Sequence, residues 1–168
     1  MIAKLVVEGK EFDIEILDPK LQELIVPKKK TGYERVDRDK YYCIVNNKST
    51  LTFLAECGDE EDNMFYDLAN YYESEFVAAQ NARADTLMCQ LRRFAVEHRE
   101  RELKYGVNCS YKWCISYDYH ENILFCHKDI ENRTFGAIYF DSKSHAKDAI
   151  ETFHDELIWY FTEYRDSL

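Results

Sequence analysis

The chain opens with an alternation of apolar and polar residues that is typical of a β-hairpin. Over residues 3–17 the apolar positions recur at every second residue on both sides of Gly9. Asp18 and Pro19 follow, and these residue types suit a helix cap and a first helical turn. The pattern therefore predicts a hairpin and then a short helix over residues 19–25.

Strand-like runs return twice further along the chain. Tyr41–Val45 and Leu51–Leu54 flank a polar turn and predict a second hairpin. Lys112–Ile115 and Ile123–Cys126 predict a third hairpin, and Phe135–Phe140 is a further run of strand-forming residues. The chain is thus expected to contain several short antiparallel pairs.

The apolar period changes from two to 3.6 after the second and third hairpins, which predicts helices. A long helix is expected over residues 75–103, with Ser74 as its cap. A final helix is expected over residues 144–165, capped by Ser142 or Ser144.

The long helix carries two stripes, so it is expected to be contacted on two sides. Leu87 and Leu91 belong to a strongly apolar stripe. Ala82 and Cys89 belong to a second stripe of small residues, about 140° away at 100° per residue. Small side chains allow a second element to approach closely.

One short pattern occurs at both helix starts. Residues 71–74 spell aromatic-aromatic-acid-Ser, and residues 139–142 repeat that order. An alanine follows four positions after each serine, at Ala78 and Ala146. Lys112–Ile115 also resembles the strand of the second hairpin. We therefore expect a duplicated unit of three strands and a helix, although any junction between a strand and a helix could produce part of this pattern.

Together these elements predict an α+β fold, in which antiparallel β-hairpins and two β-β-β-α units surround one core. The expected organisation is a single domain. Residues 1–30 would form the N-terminal hairpin and short helix, residues 31–104 the first unit, and residues 105–168 the second.

The composition of the chain limits the classes of partner and of cellular location that are expected for it. The chain has 168 residues and a formal net charge of −10, which does not favour free nucleic acid as a general partner. No signal peptide and no membrane-length apolar run is apparent in the sequence. We therefore expect no membrane association and a cytoplasmic protein with reduced thiols.

The sequence assigns no catalytic chemistry. It contains neither a Gly-x-Ser-x-Gly nucleophile elbow nor a Gly-rich phosphate loop, so no catalytic residue and no cofactor is expected. Cys109, Cys114, His120 and Cys126 lie close together in the chain, but their spacing is looser than that of structural zinc sites. Metal binding at these four residues stays open.

An acidic segment is the first candidate for partner binding. Five carboxylates fall within seven residues: Glu56, Asp59, Glu60, Glu61 and Asp62. Such a segment is either a solvated loop or a docking face for a basic surface of another protein.

The second candidate is Trp159 in the final helix. It lies away from the apolar stripe, on a face that also carries Asp155 and Glu163. Tryptophan is enriched at binding hot spots. Trp159 is therefore either a contact for a partner or a residue covered by the N-terminal hairpin, and a homodimer built on it is a further hypothesis.

A basic group at the end of the long helix supports an alternative function. It consists of Arg92, Arg93, Arg99, Arg101 and Lys104. Cations there stabilise the helix dipole, which is one explanation. The alternative is that they contact nucleic acid, in a protein that binds or processes it.

Several segments together resemble small accessory proteins of phages and mobile elements of Gram-positive bacteria. The segments are Thr31–Val36, Tyr41-Tyr42, Asn70–Tyr72, Leu91–Ala95 and Phe135–Ser142. Proteins in that genomic setting include inhibitors of host immunity, anti-CRISPR proteins among them. The resemblance implies an inhibitor in the bacterial cytoplasm that docks its acidic surface onto the basic nucleic-acid groove of a CRISPR nuclease or another host defence protein. It assigns no catalytic residue.

Overall fold

The computed structural model describes residues 2–7, 10–15, 30–105, 111–129 and 134–165. The chain forms two compact units, residues 1–31 and residues 32–168. In the first unit, strands β1 (Ile2–Val7) and β2 (Lys10–Glu15) form an antiparallel pair, which confirms the predicted hairpin. The short helix expected over residues 19–25 lies outside the described residues.

The second unit contains helices and antiparallel hairpins, so the predicted α+β class is confirmed. Its elements in chain order are β3 (Tyr41–Val45), β4 (Leu51–Ala55), α1 (Glu60–Asp67), α2 (Glu75–Glu97), β5 (Lys112–Asp118), β6 (Ile123–Asp129), α3 (Lys143–Thr152) and α4 (His154–Thr162). Among the described helices, none is long and apolar enough to cross a membrane.

Each hairpin of this unit gains a single backbone bridge on its outer edge. Cys43 of β3 exchanges hydrogen bonds with Tyr72 at 2.8 and 2.9 Å. Trp113 of β5 does the same with Phe140, at 2.9 Å in both directions. The third strands that the sequence predicts are therefore one-residue bridges, because the chain leaves the sheet edge to enter a helix.

The two helix starts are built as the sequence predicts. Ser74 and Ser142 each accept a hydrogen bond from the backbone N–H three residues on, at 3.4 and 3.1 Å. Ala78 and Ala146 are fully buried, so the first turn of each helix packs closely. The bridges align Cys43 with Trp113 instead of Cys114. The structural alignment of the two strands is therefore shifted by one residue from their alignment by sequence. The duplication itself stays a prediction.

The β3–β4 hairpin is covered on both faces. Cys43 points toward α2 and contacts Val77 and Ala78 there. Tyr42 and Ile44 point to the opposite face, in a cluster that also includes Phe65 of α1. This alternation along β3 follows from the two-residue period of a strand.

The apolar contacts of α2 are divided along its length. Its first turns pack on the β3–β4 hairpin through Val77 and Ala78. Its later turns contribute Leu87, Leu91 and Ala95 to the largest cluster, which also contains residues of α3, α4 and the β5–β6 hairpin.

The expected second stripe of α2 is present only in part. Ala82 is buried, as the close approach of another element requires. Cys89, about two helical turns further along, is exposed, so the stripe does not continue past the middle of the helix.

Two predicted helices differ from the structure. The long helix ends at Glu97 instead of residue 103. The final helix is two helices, α3 and α4, which meet at Phe153, where the backbone leaves helical geometry (φ −115°, ψ 24°). The ring of Phe153 packs edge-on against Phe94 of α2, with centroids 5.7 Å apart.

Candidate functional site

The predicted acidic segment divides into buried and exposed carboxylates. Glu56 is buried, and its carboxylate accepts two hydrogen bonds from the Arg35 guanidinium, Nε at 3.1 Å and Nη2 at 2.8 Å. The Tyr71 hydroxyl donates to the same carboxylate at 2.7 Å. The bonds from Arg35 and Tyr71 lower the pKa of Glu56 against the opposing effect of burial. Glu56 is thus a charged group bonded inside the fold.

Asp62 is the second buried carboxylate. The Tyr42 hydroxyl donates to its Oδ1 at 2.6 Å. Its Oδ2 accepts the backbone N–H groups of Cys57 and Gly58, both at 2.8 Å, and that of Asp59 at 3.3 Å. The Tyr42 bond, followed by these backbone bonds, lowers the pKa of Asp62 to about 2. Burial and the bond to Asp62 raise the pKa of Tyr42 in turn.

These bonds make the acidic segment the start of a helix, which the sequence pattern did not predict. Asp59 is the cap of α1, and its side chain accepts the N–H groups of Glu61 and Asp62, both at 3.0 Å. Glu60 and Glu61 follow in the first turn, where negative charge stabilises the helix dipole. Glu56 and Asp62 cannot reach a partner, so the carboxylates available for docking at this end are those of Asp59, Glu60 and Glu61.

The outer side of α1 combines acidic and apolar side chains. We call this the α1 surface: Glu60, Glu61, Met64, Asp67 and Leu68, which lie within an arc of about 120° at 100° per residue. Met64 is 49% exposed and Leu68 69% exposed. Exposed apolar side chains surrounded by charge mark many protein interaction sites.

Trp159 is buried, so the expectation that it meets a partner is wrong. It is 5% exposed, and the Arg83 guanidinium of α2 lies over its ring, 3.9 Å from the centroid. Arg83 is held there by two bonds to Glu156, at 2.8 and 2.9 Å, and Tyr164 packs beside the indole. The cover comes from α2, and the hypothesis of a homodimer built on Trp159 loses its basis.

The two acids predicted to flank Trp159 remain exposed. Asp155 lies 3.0 Å from the exposed His154, and Glu163 follows the end of α4. Because Trp159 is buried, these two acids are separate surface charges without the apolar contact that a binding site there would require.

The basic residues predicted at the end of the long helix do not form one surface. Arg101 has a structural role, because it donates from Nε to the Asp141 carbonyl at 2.9 Å and from Nη2 to the Tyr111 carbonyl. Arg93 lies 3.9 Å from Glu97. Arg92, Arg99 and Lys104 are exposed, but α2 ends at Glu97, so Arg99 and Lys104 lie beyond the helix.

A pair formed by the buried Asp141 and the half-buried His145 joins the segment after α2 to the start of α3. His145 Nδ1 donates to Asp141 Oδ1 at 2.7 Å, and Asp141 Oδ2 accepts the N–H groups of Glu100 and Arg101 at 2.8 and 3.1 Å. Burial would raise the pKa of Asp141, but these bonds outweigh it and lower that pKa. The bonds from Glu100 and Arg101 tie the segment after α2 to the start of α3, and His145 holds Asp141 in position, so the pair stabilises the fold.

The structure does not favour a metal centre at the predicted cysteine and histidine residues. Cys114 and Cys126 point to opposite faces of the β5–β6 hairpin, because Cys114 lies opposite His127 and Cys126 lies opposite Ile115. Cys109 lies outside the described residues. Burial also raises the pKa of the Cys114 thiol to about 11, which disfavours the thiolate that a metal requires.

Cys57, Asp59 and Asp62 are the group whose ligand atoms come together among the described residues, within 4.8 Å. The oxygens of Asp62 already accept four hydrogen bonds from the chain, and Asp59 caps α1. These bonds explain the cluster without an ion.

An apolar cavity of about 190 Å³ lies between α2, α4 and the outer edge of β5. Its walls include Leu87, Leu91, Ile115, Ile138, Leu157 and Phe161. No titratable pair with catalytic geometry is among these walls.

Comparison of the chain with protein-family models, curated proteins and solved structures finds no match. The resemblance to phage accessory proteins therefore stays a prediction.

Proposed function

We propose that the chain is a non-enzymatic interaction protein whose α1 surface docks onto a basic surface of another protein. One observation carries this proposal: Met64 and Leu68 are exposed among Glu60, Glu61 and Asp67, on a helix that two buried carboxylates hold in place. The apolar side chains supply contact area, and the carboxylates select a basic partner.

The rigidity of α1 supports this role. Asp62 bonds the helix start to Tyr42 of β3, and Arg35 bridges Glu56 to Asn63 of α1, with Nη1 at 2.7 Å from Asn63 Oδ1. A helix held at both contacts loses little conformational freedom on binding, so more of its contact energy appears as affinity.

The proposed partner is a CRISPR nuclease or another nucleic-acid-binding defence protein of a bacterial host. The net charge of −10 supports it, because the acidic side chains would take the place of nucleic-acid phosphates in a basic groove. The site of action is then the bacterial cytoplasm.

Binding to a purified CRISPR nuclease of a Gram-positive host tests both the proposed α1 surface and the proposed partner. The double variant Glu61→Lys with Asp67→Lys should weaken Kd roughly 30-fold. It turns two attractive charges at the rim of the interface into repulsive ones, which together lowers the binding free energy by about 2 kcal/mol. The matched control, Asp148→Lys with Glu151→Lys, makes the same charge change on α3, where both residues are exposed, and should have little effect.

A second variant separates the apolar contribution from the charge. Met64→Ser with Leu68→Ser leaves the charge unchanged and should weaken binding at high and low salt alike. Wild-type affinity should fall as ionic strength rises, because the Debye length is about 8 Å at physiological salt and shorter above it. Binding that changes neither with salt nor in the charge-reversed variant would contradict the α1 surface.

Nucleic-acid binding is tested in the same preparation. Arg92 and Arg99 are exposed and offer two cations to phosphate. A gel shift of DNA or guide-type RNA that the double variant Arg92→Ala with Arg99→Ala abolishes would favour this alternative over the acidic docking proposal.

We also infer that the two hairpin-and-helix units arose by duplication. The bridges Cys43–Tyr72 and Trp113–Phe140 occupy equivalent places. Tyr71 donates to the carboxylate of Glu56, and the corresponding Tyr139 donates to that of Asp129. A crystal structure in which the two units fail to superpose on these bridges would refute the inference.

A further inference from the structure

Within the described part of the chain, the outer edge of β5 is bonded to a neighbouring segment at one position and open beyond it. Trp113 exchanges both of its backbone hydrogen bonds with Phe140. Strand residues direct their N–H and C=O groups alternately to the two sides, so Ile115 directs its own pair toward the same edge. Among the residues that the structure describes, neither group of Ile115 bonds to the segment 134–139. An open strand edge is a template for pairing with another chain.

The corresponding edge of β3 is closed by a side-chain amide. Cys43 forms the bridge with Tyr72, and two residues on, the N–H of Val45 donates to Asn70 Oδ1 at 2.8 Å. Asn70 Nδ2 donates back to the Val45 carbonyl at 2.9 Å. The amide of Asn70 therefore makes the two bonds that the peptide group of a neighbouring strand would make.

Beside β5, Ile138 takes the place that Asn70 has beside β3, two residues before the bridge at Phe140. Its side chain has no polar atom and cannot bond to Ile115. The backbone diverges from β5 at this point, and the apolar cavity of about 190 Å³ lies beside the open edge, with Ile115 and Ile138 in its walls.

We propose that the open edge of β5 binds an extended peptide segment of another protein by strand addition, with one large apolar side chain inserted in the cavity. The edge of β3 shows which chemical group completes such an edge, because the Asn70 amide fills the equivalent position there. A peptide backbone supplies the same N–H and C=O groups.

The cavity and the charge of the chain define the segment further. An apolar cavity of about 150 Å³ takes up benzene, so this larger one accommodates the side chain of a leucine or phenylalanine. The net charge of −10 favours a segment that carries lysine or arginine beside the apolar residue. This mode uses backbone pairing and an apolar contact in the cavity, so it does not depend on the carboxylates of the α1 surface.

The first test uses a defined probe, the capped heptapeptide Lys-Thr-Lys-Leu-Thr-Val-Lys, and versions with phenylalanine, methionine or alanine at the centre. The Ile115 amide should exchange rapidly with solvent in the free protein, and saturating peptide should slow its exchange at least about tenfold. Replacing the central leucine by alanine should weaken Kd about tenfold or more. N-methylation of the peptide backbone should abolish binding.

A variant of the chain tests the comparison between the two edges. Ile138→Asn installs the side-chain amide that closes the β3 edge, so it should protect the Ile115 amide without peptide and remove peptide binding. Ile138→Val is the matched control and should keep binding. If Ile138→Asn does not fold, the N-methylated peptide decides the question with the wild-type chain.

Three results would overturn the proposal. The first is an Ile115 amide already protected in the free protein at every concentration. The second is protection that rises with protein concentration, which would assign the edge to a second copy of this chain. The third is a peptide panel of which no member binds at about 1 mM, or whose binding is unchanged by N-methylation. Because the α1 variants with reversed charge keep this edge, failure here is distinguishable from failure of the docking proposal.

Discussion

The substitution Asp62→Asn tests the network that holds α1 in place. The Asp62 carboxylate accepts the Tyr42 hydroxyl and three backbone N–H groups. Asparagine keeps the shape of the side chain, but its amide nitrogen can only donate. Either the Tyr42 hydroxyl or the three backbone N–H groups then lose their charged acceptor, while the volume of the side chain is unchanged.

The pKa of Asp62 gives the size of the effect. Its value in the folded state is about 2 against an ordinary 3.8, and one pKa unit corresponds to about 1.4 kcal/mol. The ionised form therefore contributes about 2 kcal/mol to the free energy of unfolding at neutral pH. Because the folded pKa is the lower one, this contribution is complete above pH 4, falls to about half at pH 3, and is lost as the pH falls through 2.

Urea unfolding at pH 7, 5 and 3, followed by circular dichroism, measures this dependence. Asp62→Asn should lower the free energy of unfolding by about 2 kcal/mol at pH 7 and by about half as much at pH 3. Glu61→Gln removes a carboxylate from the exposed side of the same helix and should stay within about 0.5 kcal/mol of wild type. An Asp62→Asn variant as stable as the Glu61→Gln control at pH 7, or a loss independent of pH, would refute the reasoning.

Two further predictions concern other parts of the second unit. Gly32→Ala should lower the free energy of unfolding in urea by at least about 3 kcal/mol, because φ is +93° and an added Cβ would lie 2.7 Å from a methyl group of Val77 in α2. Gly58→Ala is the control, with φ +76° and open space around the added Cβ, and should lower it by only about 1–2 kcal/mol. Equal losses in the two variants would show that the contact with Val77 is irrelevant. Arg83→Met should shift Trp159 fluorescence to longer wavelength and cost about 1–2 kcal/mol, because it removes the cation over the indole and the bonds to Glu156; an unchanged spectrum would mean that other groups cover the ring.

Local patterns predicted the hairpins and helix starts because the relevant contacts are close in sequence. Ser74 and Ser142 bond three residues ahead, and the antiparallel partners of β3 lie just across a short turn. Helix α1 also had a local signal, an acid three residues after the cap Asp59, which is the spacing of a capping box. Because so many carboxylates are adjacent there, the segment was interpreted as an acidic loop and the capping spacing was not recognised.

The binding candidates were harder to predict because their surroundings come from distant parts of the chain. Glu56 is buried by Arg35, 21 residues away, and by Tyr71, 15 residues away. Helical periodicity placed Trp159 correctly away from the apolar stripe, but a helical period does not say which element lies opposite. That element is α2, where Arg83 lies 76 positions earlier in the chain than Trp159. Exposed Met64 and Leu68 became visible as a surface only when α1 was known to be a helix.

Helix α2 supplies one end to the cluster beneath the β3–β4 hairpin and the other end to the cluster beneath β5 and α4. Neither hairpin can therefore complete its core while this helix is unformed. Folding of residues 32–168 should be an all-or-none event in which protection of β3 and β5 amides is gained and lost together. A protease cut within α2 would then unfold both hairpins and their cores at once, so residues 32–168 should be degraded in a cell without leaving a stable fragment.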